Sequence, residues 1–194
     1  MKENDKKTET EEKILDAALK VFARKGFDAA TTRVIAEESG YTEMTLFRKF
    51  GTKKNLFDEV MNRGNLQIEE DSGKLSVLTD IKDAGEFLRS FVKTLDEFVF
   101  QNFEYFHLTI IEDSSTIKPM VRITIDNLTE YFSKNFPNKE IDYTSFGYSI
   151  STFIYYLNID RYYGRKATFE NYDESLDKLV DILNCMLENK KIKG

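Results

Sequence analysis

Residues 31–54 read TTRVIAEESGYTEMTLFRKFGTKK, a stretch that predicts two short helices joined by a tight corner. The hydroxyl of Thr31 or Thr32 can cap the first helix by accepting from backbone N–H groups that lack an intrahelical partner. Gly40 suits the corner, because glycine adopts at little cost the left-handed conformation that ends many helices. We therefore expect the first helix to end, and the chain to turn, at Gly40.

The second helix of this stretch has two faces of different character. Thr42 can cap it, and Leu46 and Phe50 lie one turn apart on its inward side. Arg48 and Lys49 lie on the other side. Two short helices joined in this way form a helix-turn-helix, whose second helix is expected to enter the major groove of DNA.

Further helix signals lie on either side of this stretch. Thr8 followed by Glu11 fits a capping box, which predicts a first helix from about Thr8 to Lys25 with Gly26 as its C-terminal stop. Thr52 can cap a fourth helix that begins at the next residue. The N-terminal part of the chain is therefore expected to contain three helices followed by a longer fourth one.

The whole array resembles the DNA-binding domain of the TetR family of transcriptional repressors, over roughly Thr8 to Val60. A bare helix-turn-helix is a weak signal, whereas this array at the N-terminus of a chain of this length is specific. The matching positions are Ile14, Leu15, Ala18, Leu19 and Phe22, the Gly26-Phe27 break, Thr31-Thr32-Arg33, Ile35-Ala36, Gly40, Thr45-Leu46-Phe47, Phe50-Gly51 and Lys53. The resemblance implies an all-α protein with a C-terminal helical domain for regulation and dimerisation.

Five side chains are expected at or near the DNA backbone. Thr32 and Lys53 lie at helix N-termini, where backbone N–H groups favour an anion, and the resemblance implies that both hold phosphate. Thr45 matches a third such position. Lys49 stands where the family most often has histidine and would also face phosphate. Phe47 replaces the usual tyrosine, so its ring can pack on a sugar or a thymine methyl but lacks the phenolic hydrogen bond.

Other side chains are expected to contact bases. Arg33 fits a base reader, because a guanidinium can bond guanine O6 and N7 together. Met44, in place of a frequent glycine, can touch a thymine methyl. Glu43 either accepts from cytosine N4 or favours the helix N-terminus, and Arg48 contacts either base or backbone. The predicted DNA-binding residues are Thr32, Arg33, Thr42, Glu43, Met44, Thr45, Phe47, Arg48, Lys49 and Lys53, with Ile35, Ala36, Leu46 and Phe50 expected in the core.

The charge of the chain is unevenly distributed. The formal net charge is −6, yet residues 1–60 hold 12 basic and 12 acidic side chains, whereas residues 61–194 hold 16 and 22. Phe47 to Lys54 contains four cations and no anion. Such a run is either a solvated helix face or a phosphate-binding surface, and its position favours phosphate.

The rest of the chain predicts further helices, about nine in all. It has only two prolines, and its apolar residues recur at helical spacing. We expect helix 4 to continue to about Glu70 and to be followed by a polar break at Asp71–Thr79. Residues 1–52 are assigned to the DNA-binding domain and residues 53–194 to a ligand-binding and dimerisation domain, linked by the helix that begins at residue 53.

The last two predicted helices, Tyr143–Tyr163 and Tyr172–Glu188, are expected to form a dimer interface. The first is apolar nearly all round, and a second subunit is the natural cover for such a helix. Two helices from each chain would form a four-helix interface, as the resemblance also implies. The predicted interface residues are Ile150, Ile154, Leu157, Leu176, Leu179, Val180, Leu183 and Met186. A two-fold dimer would read a near-palindromic operator with half-sites about 34–36 Å apart.

The aromatic residues are concentrated in the C-terminal half, where 18 of the 26 Phe and Tyr residues lie between Phe87 and Tyr163. The resemblance implies an effector pocket among these helices, and we expect a small apolar or aromatic effector, although most individual rings are expected in ordinary core. His107, the sole histidine, is either a polar handle in that pocket or an ordinary surface or core residue. The candidate lining residues are Phe91, Phe98, Phe103, Phe106, His107, Phe132, Phe153 and Tyr156.

The sequence argues against several other classes of protein. It has no usable catalytic triad, metal-ligand cluster or phosphate-binding glycine loop, so we expect no enzyme, no metal and no cofactor. The single cysteine, Cys185, excludes an intrachain disulfide. Without a secretory signal or an apolar run near 20 residues, we expect a cytoplasmic protein with no membrane partner. Met1–Lys7 is expected to be either disordered or an arm near DNA.

Substitution of Lys49 and Arg33 separates phosphate contact from base reading. Lys49→Ala should weaken binding to every DNA sequence and flatten the salt dependence of affinity, because one phosphate contact is lost. Arg33→Ala should cost about 1–3 kcal/mol at one base position only. Binding constants for a panel of duplexes at two salt concentrations check both expectations. Uniform loss from both variants would refute the division of roles, and no change from either would indicate a vestigial DNA-binding domain.

Overall fold

A computed structural model describes residues 8–76, 81, 83–112, 117–137, 140–165 and 171–187, with side chains except at 72–76, 117–121, 123, 124 and 127. These residues form nine α-helices and no strand, which confirms the predicted all-α fold. The helices are α1 (Glu9–Ala29), α2 (Thr32–Ser39), α3 (Glu43–Phe50), α4 (Lys53–Ser76), α5 (Ala84–Gln101), α6 (Phe103–Ile111), α7 (Ile117–Asn135), α8 (Tyr143–Tyr162) and α9 (Tyr172–Leu187). Among the helices of the described ranges, none has both the length and the apolar character needed to span a membrane.

Two compact units divide these helices. The first contains α1, α2, α3, the part of α4 up to Glu70, and α6 from Glu104. The second contains the rest of α4 from Asp71, together with α5, α7, α8 and α9. The predicted domain boundary between residues 52 and 53 stays a prediction. The helix-turn-helix and α6 belong to the same unit.

Helix α1 begins where the sequence predicts and breaks at the predicted glycine. The Thr8 hydroxyl accepts from the backbone N–H of Glu11, whose carboxylate accepts from the N–H of Thr8, so the capping box is confirmed. Gly26 interrupts the helix with a left-handed φ of 75°. The predicted stop at Gly26 is confirmed, because its backbone is non-helical, and one further helical turn follows it to Ala29.

The core of the first unit is centred on α1. Ile14, Leu15 and Phe22 of this helix are fully buried. The ring of Phe22 lies 5.9 Å from that of Phe27 and 5.2 Å from that of Phe57, between ring centroids. Full burial of one such side chain contributes about 1.5–3 kcal/mol. This apolar cluster therefore holds the start of α4 against α1.

The packing of α6 on α4 depends on a glycine. A Cβ atom on Gly64 would lie 2.0 Å from the ring of Tyr105, so only glycine leaves room for this ring. The Tyr105 hydroxyl donates to the side-chain oxygen of Asn65. Burial raises the pKa of Tyr105 to about 12, so the phenol remains a hydrogen-bond donor at neutral pH.

The predicted end of α4 is wrong. The helix continues to Ser76 instead of stopping near Glu70, so the expected break at Asp71–Thr79 does not begin at Asp71. A tertiary contact accounts for the difference, because Asp71 is buried and its carboxylate lies 3.3 Å from the side-chain amide of Asn102, which donates to it. Residues 77–79 of the predicted break lie outside the described residues.

Aromatic rings form the core of the second unit. Phe132 of α7 is fully buried, and its ring lies 5.4 Å from Phe87 of α5 and 5.1 Å from Phe146 of α8. The ring of Tyr143 stacks on Phe132 at 5.8 Å, and Tyr131 stacks on Phe87 at 4.2 Å. Such pairs contribute about 0.5–1.5 kcal/mol beyond the burial of their area. These contacts join α5, α7 and α8.

A buried polar cluster joins α5 to the end of α8 and the start of α9. The Asp96 carboxylate accepts from the Asn158 amide at 2.8 Å and from the Tyr172 hydroxyl, and the Arg161 guanidinium lies 3.6 Å away. Burial raises the pKa of Tyr172, and the hydrogen bond to Asp96 adds to the effect. Arg161 also lies over the Phe100 ring at 3.5 Å. The buried carboxylate therefore has both a cation and hydrogen-bond donors, as a buried charge requires.

Candidate DNA-binding site

Two threonine caps and one glycine build the helix-turn-helix. The Thr31 hydroxyl accepts from a backbone N–H of the first turn of α2 at 3.3 Å, so Thr31 rather than Thr32 is the cap. Gly40 has a left-handed φ of 74°, and its N–H donates to two carbonyls of the last turn. The Thr42 hydroxyl accepts from the N–H of Thr45 at 3.2 Å and caps α3. The corner and both caps are therefore confirmed.

Helix α3 exposes a face that is both apolar and cationic. Met44 is 80% exposed and Phe47 is 49% exposed, and Arg48 is exposed on the same helix. Large exposed apolar side chains often mark an interaction site. Sugars and thymine methyls in a DNA groove offer apolar partners beside anionic phosphates. The residues expected in the core lie inside, with Ile35, Ala36 and Leu46 buried and Phe50 half-buried.

Arg33 projects from α2 into solvent. Its side chain is 78% exposed, and its Nε donates to the Glu37 carboxylate one turn later at 3.0 Å. An exposed pair at this spacing contributes about 0.3–0.5 kcal/mol, whereas a bidentate bond to guanine is worth about 1–3 kcal/mol. The ion pair therefore leaves Arg33 available for the predicted base contact.

Thr32 and Glu43 contact each other. The Thr32 hydroxyl donates to Oε2 of Glu43 at 2.6 Å, which links the first turn of α2 to the first turn of α3. Two roles were open for Glu43, reading of cytosine or a favourable interaction with a helix N-terminus. The contact places its carboxylate beside two helix N-termini and is compatible with the second role.

Lys49 is held by α1. Its Nζ lies 3.3 Å from the Glu11 carboxylate and donates to the Thr8 hydroxyl at 3.4 Å. Hydrogen bonds from the backbone N–H and hydroxyl of Thr8 are the main reason that the pKa of Glu11 is lowered, and Lys49 is a smaller cause. The lysine predicted to face phosphate therefore already has an anionic partner within its own unit.

Lys53 is directed into the first unit. Its Nζ donates to the carbonyls of Phe27 at 2.8 Å and Ala30 at 3.0 Å, and lies 4.3 Å from the centre of the Phe27 ring. These carbonyls belong to the end of α1, where no intrahelical donor remains for them. Lys53 thus closes α1, and the predicted phosphate contact, which stays a prediction, would compete with these bonds.

Glu112, which the sequence analysis did not select, also contacts the backbone at the break in α1. Its carboxylate accepts from the backbone N–H of Phe27 at 2.6 Å. This N–H directly follows the left-handed Gly26, at the break in α1. This N–H is partly buried and needs an acceptor, and the carboxylate provides one. The two residues are 85 positions apart, so no local pattern pointed to the contact.

The residues predicted to line an effector pocket are divided between the two units. Those buried in the second unit are Phe91, Phe98, Phe103 and Phe132. Phe153 is half-buried there, whereas Tyr156 is 62% exposed. Phe106 is buried and His107 half-buried in the first unit, and burial lowers the pKa of His107.

A cavity of about 740 Å³ lies among α5, α8 and α9 of the second unit. Most of its lining residues are charged, including Asp96 and Arg161. Its lining contains none of the predicted effector residues. It is therefore chemically different from the apolar or aromatic pocket that the sequence led us to expect.

Most residues predicted for the dimer interface lie in the core of their own chain. Those buried are Ile150, Ile154 and Leu157 of α8, and Leu179, Val180 and Leu183 of α9. A side chain with almost no exposed surface in one chain has little area left to bury against a second chain. Leu176 is half-buried, and Met186 is exposed. The dimer interface itself stays a prediction.

A capped helix-turn-helix with an exposed apolar and cationic second helix defines the class as a helix-turn-helix DNA-binding protein. The family model for bacterial regulatory proteins of the tetR family matches residues 14–60. The chain is 38% identical over 71 residues to the uncharacterized HTH-type transcriptional regulator YvkB of Bacillus subtilis, which covers 34% of this chain and 37% of YvkB. It is 40% identical over 53 residues to the HTH-type transcriptional repressor AcnR of Corynebacterium glutamicum, covering 27% and 28%. The matches span about a third of the length of these curated relatives.

Solved structures extend the likeness of fold to almost the whole chain. A TetR-like transcriptional regulator from Rhodococcus sp. RHA1 has a TM-score of 0.69 at 18% identity, covering 93% of this chain and 97% of that one. AibR, solved with isovaleryl coenzyme A and operator DNA, has a TM-score of 0.67 at 20% identity, covering 90% and 97%. Residues 14–60 therefore match the DNA-binding domain of the tetR family, and almost the whole chain shares the fold of the TetR-like regulators.

Substitution of Lys53 distinguishes a structural role from phosphate binding. Lys53→Met keeps most of the apolar stem but removes the donor from the carbonyls at the end of α1, so the free energy of unfolding should fall by about 1–3 kcal/mol. Lys54→Met is the matched control, because Lys54 forms an exposed pair with Asp58 and lies at the long distance of 5.9 Å from the centre of the Phe57 ring. Its loss should change stability by less than about 0.5 kcal/mol. Chemical denaturation of the two variants provides the comparison. Equal stability of both would mean that Lys53 does not hold α1.

Proposed function

We propose that this chain is a ligand-responsive repressor that acts in the cytoplasm, binds a near-palindromic operator as a homodimer and is released by a small effector. The observation that carries the proposal is the exposed face of α3, where Met44, Phe47 and Arg48 project from a helix whose backbone is fixed by Thr42. Rigid presentation of such a face suits a major groove. The name of AcnR as a repressor supports repression rather than activation.

Exposed apolar residues of α8 and α9 support a second copy of this chain as partner. Tyr148 and Tyr156 lie two turns apart on α8, and Ile182 and Met186 lie one turn apart on α9. Their relative exposures of 44% to 62% leave apolar surface that a two-fold contact would cover. The buried cluster around Asp96 ties both helices to α5, so the two exposed faces are held within one unit.

Buried aromatic residues of the second unit support an apolar or aromatic effector. Phe91 and Phe98 of α5 and Phe132 of α7 belong to this interior. AibR was solved with isovaleryl coenzyme A, and FadR of Bacillus subtilis, which has a TM-score of 0.58 and 16% identity, was solved with stearoyl-CoA. An effector releases DNA only if it binds the released state more tightly than the DNA-bound state.

An enzyme is the alternative of a different class. The curated relatives are named as regulators, which favours regulation. A binding module with a vestigial DNA-binding domain is a further alternative. The confirmed caps of α2 and α3 and the exposed Arg33 favour an intact DNA-binding domain.

Selection of bound sequences from random duplex DNA by the purified chain, repeated at two salt concentrations, tests the proposed function. We expect a near-palindrome, with binding that weakens steeply as salt rises because phosphate contacts release counterions. Mass spectrometry of small molecules released by denaturing the protein accompanies the selection. Absence of any enriched sequence from a ligand-free preparation would refute the proposal.

Substitution on the exposed face of α9 tests the dimer. Ile182→Glu should lower the sedimenting mass from twice the chain mass of 22.7 kDa toward the chain mass itself, because the contact would have to bury a carboxylate. Leu66→Glu is the matched control, since Leu66 is a similarly exposed apolar residue of the first unit. A dimer that survives Ile182→Glu, or one lost equally with Leu66→Glu, would exclude the α9 face as the specific contact.

A further inference from the structure

Two side chains predicted to hold DNA phosphate are already occupied by carboxylates of their own unit. Lys49 faces Glu11 at 3.3 Å, and Thr32 donates to Glu43 at 2.6 Å. These contacts join α3 to α1 and α2 to α3 respectively, so they bring together residues that are distant in sequence.

The carboxylate of Glu11 is fixed before DNA arrives. Its Oε2 accepts from the backbone N–H of Thr8 at 2.7 Å and from the Thr8 hydroxyl at 2.9 Å, while Oε1 faces Lys49. The side chains of Lys49 and Glu11 are only 26% and 24% exposed, so water screens this pair less than a fully exposed one. Glu11 is therefore a preorganised anion beside the cation.

The Thr32 hydroxyl competes differently, because it can donate to only one acceptor. A hydroxyl has one hydrogen to donate, and Thr32 donates it to Glu43. A DNA phosphate is an acceptor of the same kind as a carboxylate. The hydroxyl can therefore serve Glu43 or a phosphate, but not both at once.

We infer that Glu11 and Glu43 are internal competitors of DNA phosphate, which weaken DNA binding by occupying Lys49 and Thr32. This inference rests on the proposed function, because it names a control on the affinity of the same DNA-binding surface. The effect is uniform across DNA sequences, since phosphates carry no sequence information. A lower DNA affinity is easier for an effector to overcome, since the coupling between two sites is typically about 5–150-fold.

Charge-removing variants of the two glutamates test the inference. Glu11→Gln keeps the capping box, which accepts Gln as well as Glu. Glu43→Gln leaves Thr32 only a neutral amide oxygen as acceptor, which competes with a phosphate less strongly than a carboxylate does. Each should bind both a random duplex and the selected operator about two- to fivefold more tightly, as expected for the loss of one exposed or half-exposed pair. Fluorescence anisotropy of labelled duplexes over a series of salt concentrations measures these affinities.

The matched control is Glu9→Gln. It makes the same change of formal charge in the same helix, but Glu9 pairs with Lys13 rather than with a predicted DNA contact. Glu9→Gln should change affinity by less than about 1.5-fold, since only the long-range field changes. Thermal unfolding of all variants verifies that they remain folded.

A double-mutant cycle identifies the route of the effect. If Glu11 acts through Lys49, the gain from Glu11→Gln should disappear when Lys49 is alanine. The same cycle for Glu43→Gln with Thr32→Val provides an independent second measurement.

The outcomes separate this inference from the proposed function. Equal gains from Glu9→Gln and Glu11→Gln, or a gain that persists with alanine at Lys49, would overturn the role of Glu11 while leaving operator binding intact. A change at a single base position with Glu43→Gln, and none on random DNA, would make Glu43 a base reader instead. A wild-type chain that binds no DNA in a salt-dependent manner would overturn the proposed function, and the inference with it.

Discussion

The first unit depends on how the chain satisfies the backbone groups freed where α1 breaks at Gly26. The backbone N–H of Phe27, which follows this break, donates to the carboxylate of Glu112, the residue after α6. The Nζ of Lys53, at the start of α4, donates to the carbonyls at the end of α1. Because Ala30 immediately precedes the cap of α2, these bonds also set where the helix-turn-helix begins. One charged side chain from each of two distant segments thus supports the DNA-binding surface from behind.

The proposed DNA-binding surface contains both exposed side chains and side chains that are paired within the unit. Apolar Met44 and Phe47 are exposed on α3, whereas Lys49 is drawn back to Glu11 and Thr32 to Glu43. This balance agrees with the equal numbers of acidic and basic side chains in residues 1–60. An acidic chain can bind DNA because local presentation of a few groups matters more than total charge.

In the second unit, aromatic rings form the interior, and the hydrogen bonds of the buried Asp96 cluster connect the helices. Phe132 and its ring neighbours join α5, α7 and α8, and the Asp96 cluster holds α9 to them. Since α8 and α9 bury their most apolar residues inside the chain, the surface left for a partner consists of tyrosines and a few aliphatic side chains, such as Tyr156 and Ile182. A periodic apolar stripe shows that a helix is buried, but it does not say which side meets its own chain and which meets a second copy.

The sequence by itself determined the helices, the caps at Thr8 and Thr42, a threonine cap at residue 31 or 32, and the left-handed corner at Gly40. These features arise from residues within one or two turns of each other, and their hydrogen bonds repeat wherever the same residues occur at the same spacing. Only the tertiary structure decided that Lys53 turns inward, which residues of α8 and α9 are core, and that α4 runs on to Ser76. These outcomes depend on partners far along the chain, as with Glu112 and Phe27, and on competition between partners for the same side chain, which local spacing does not encode.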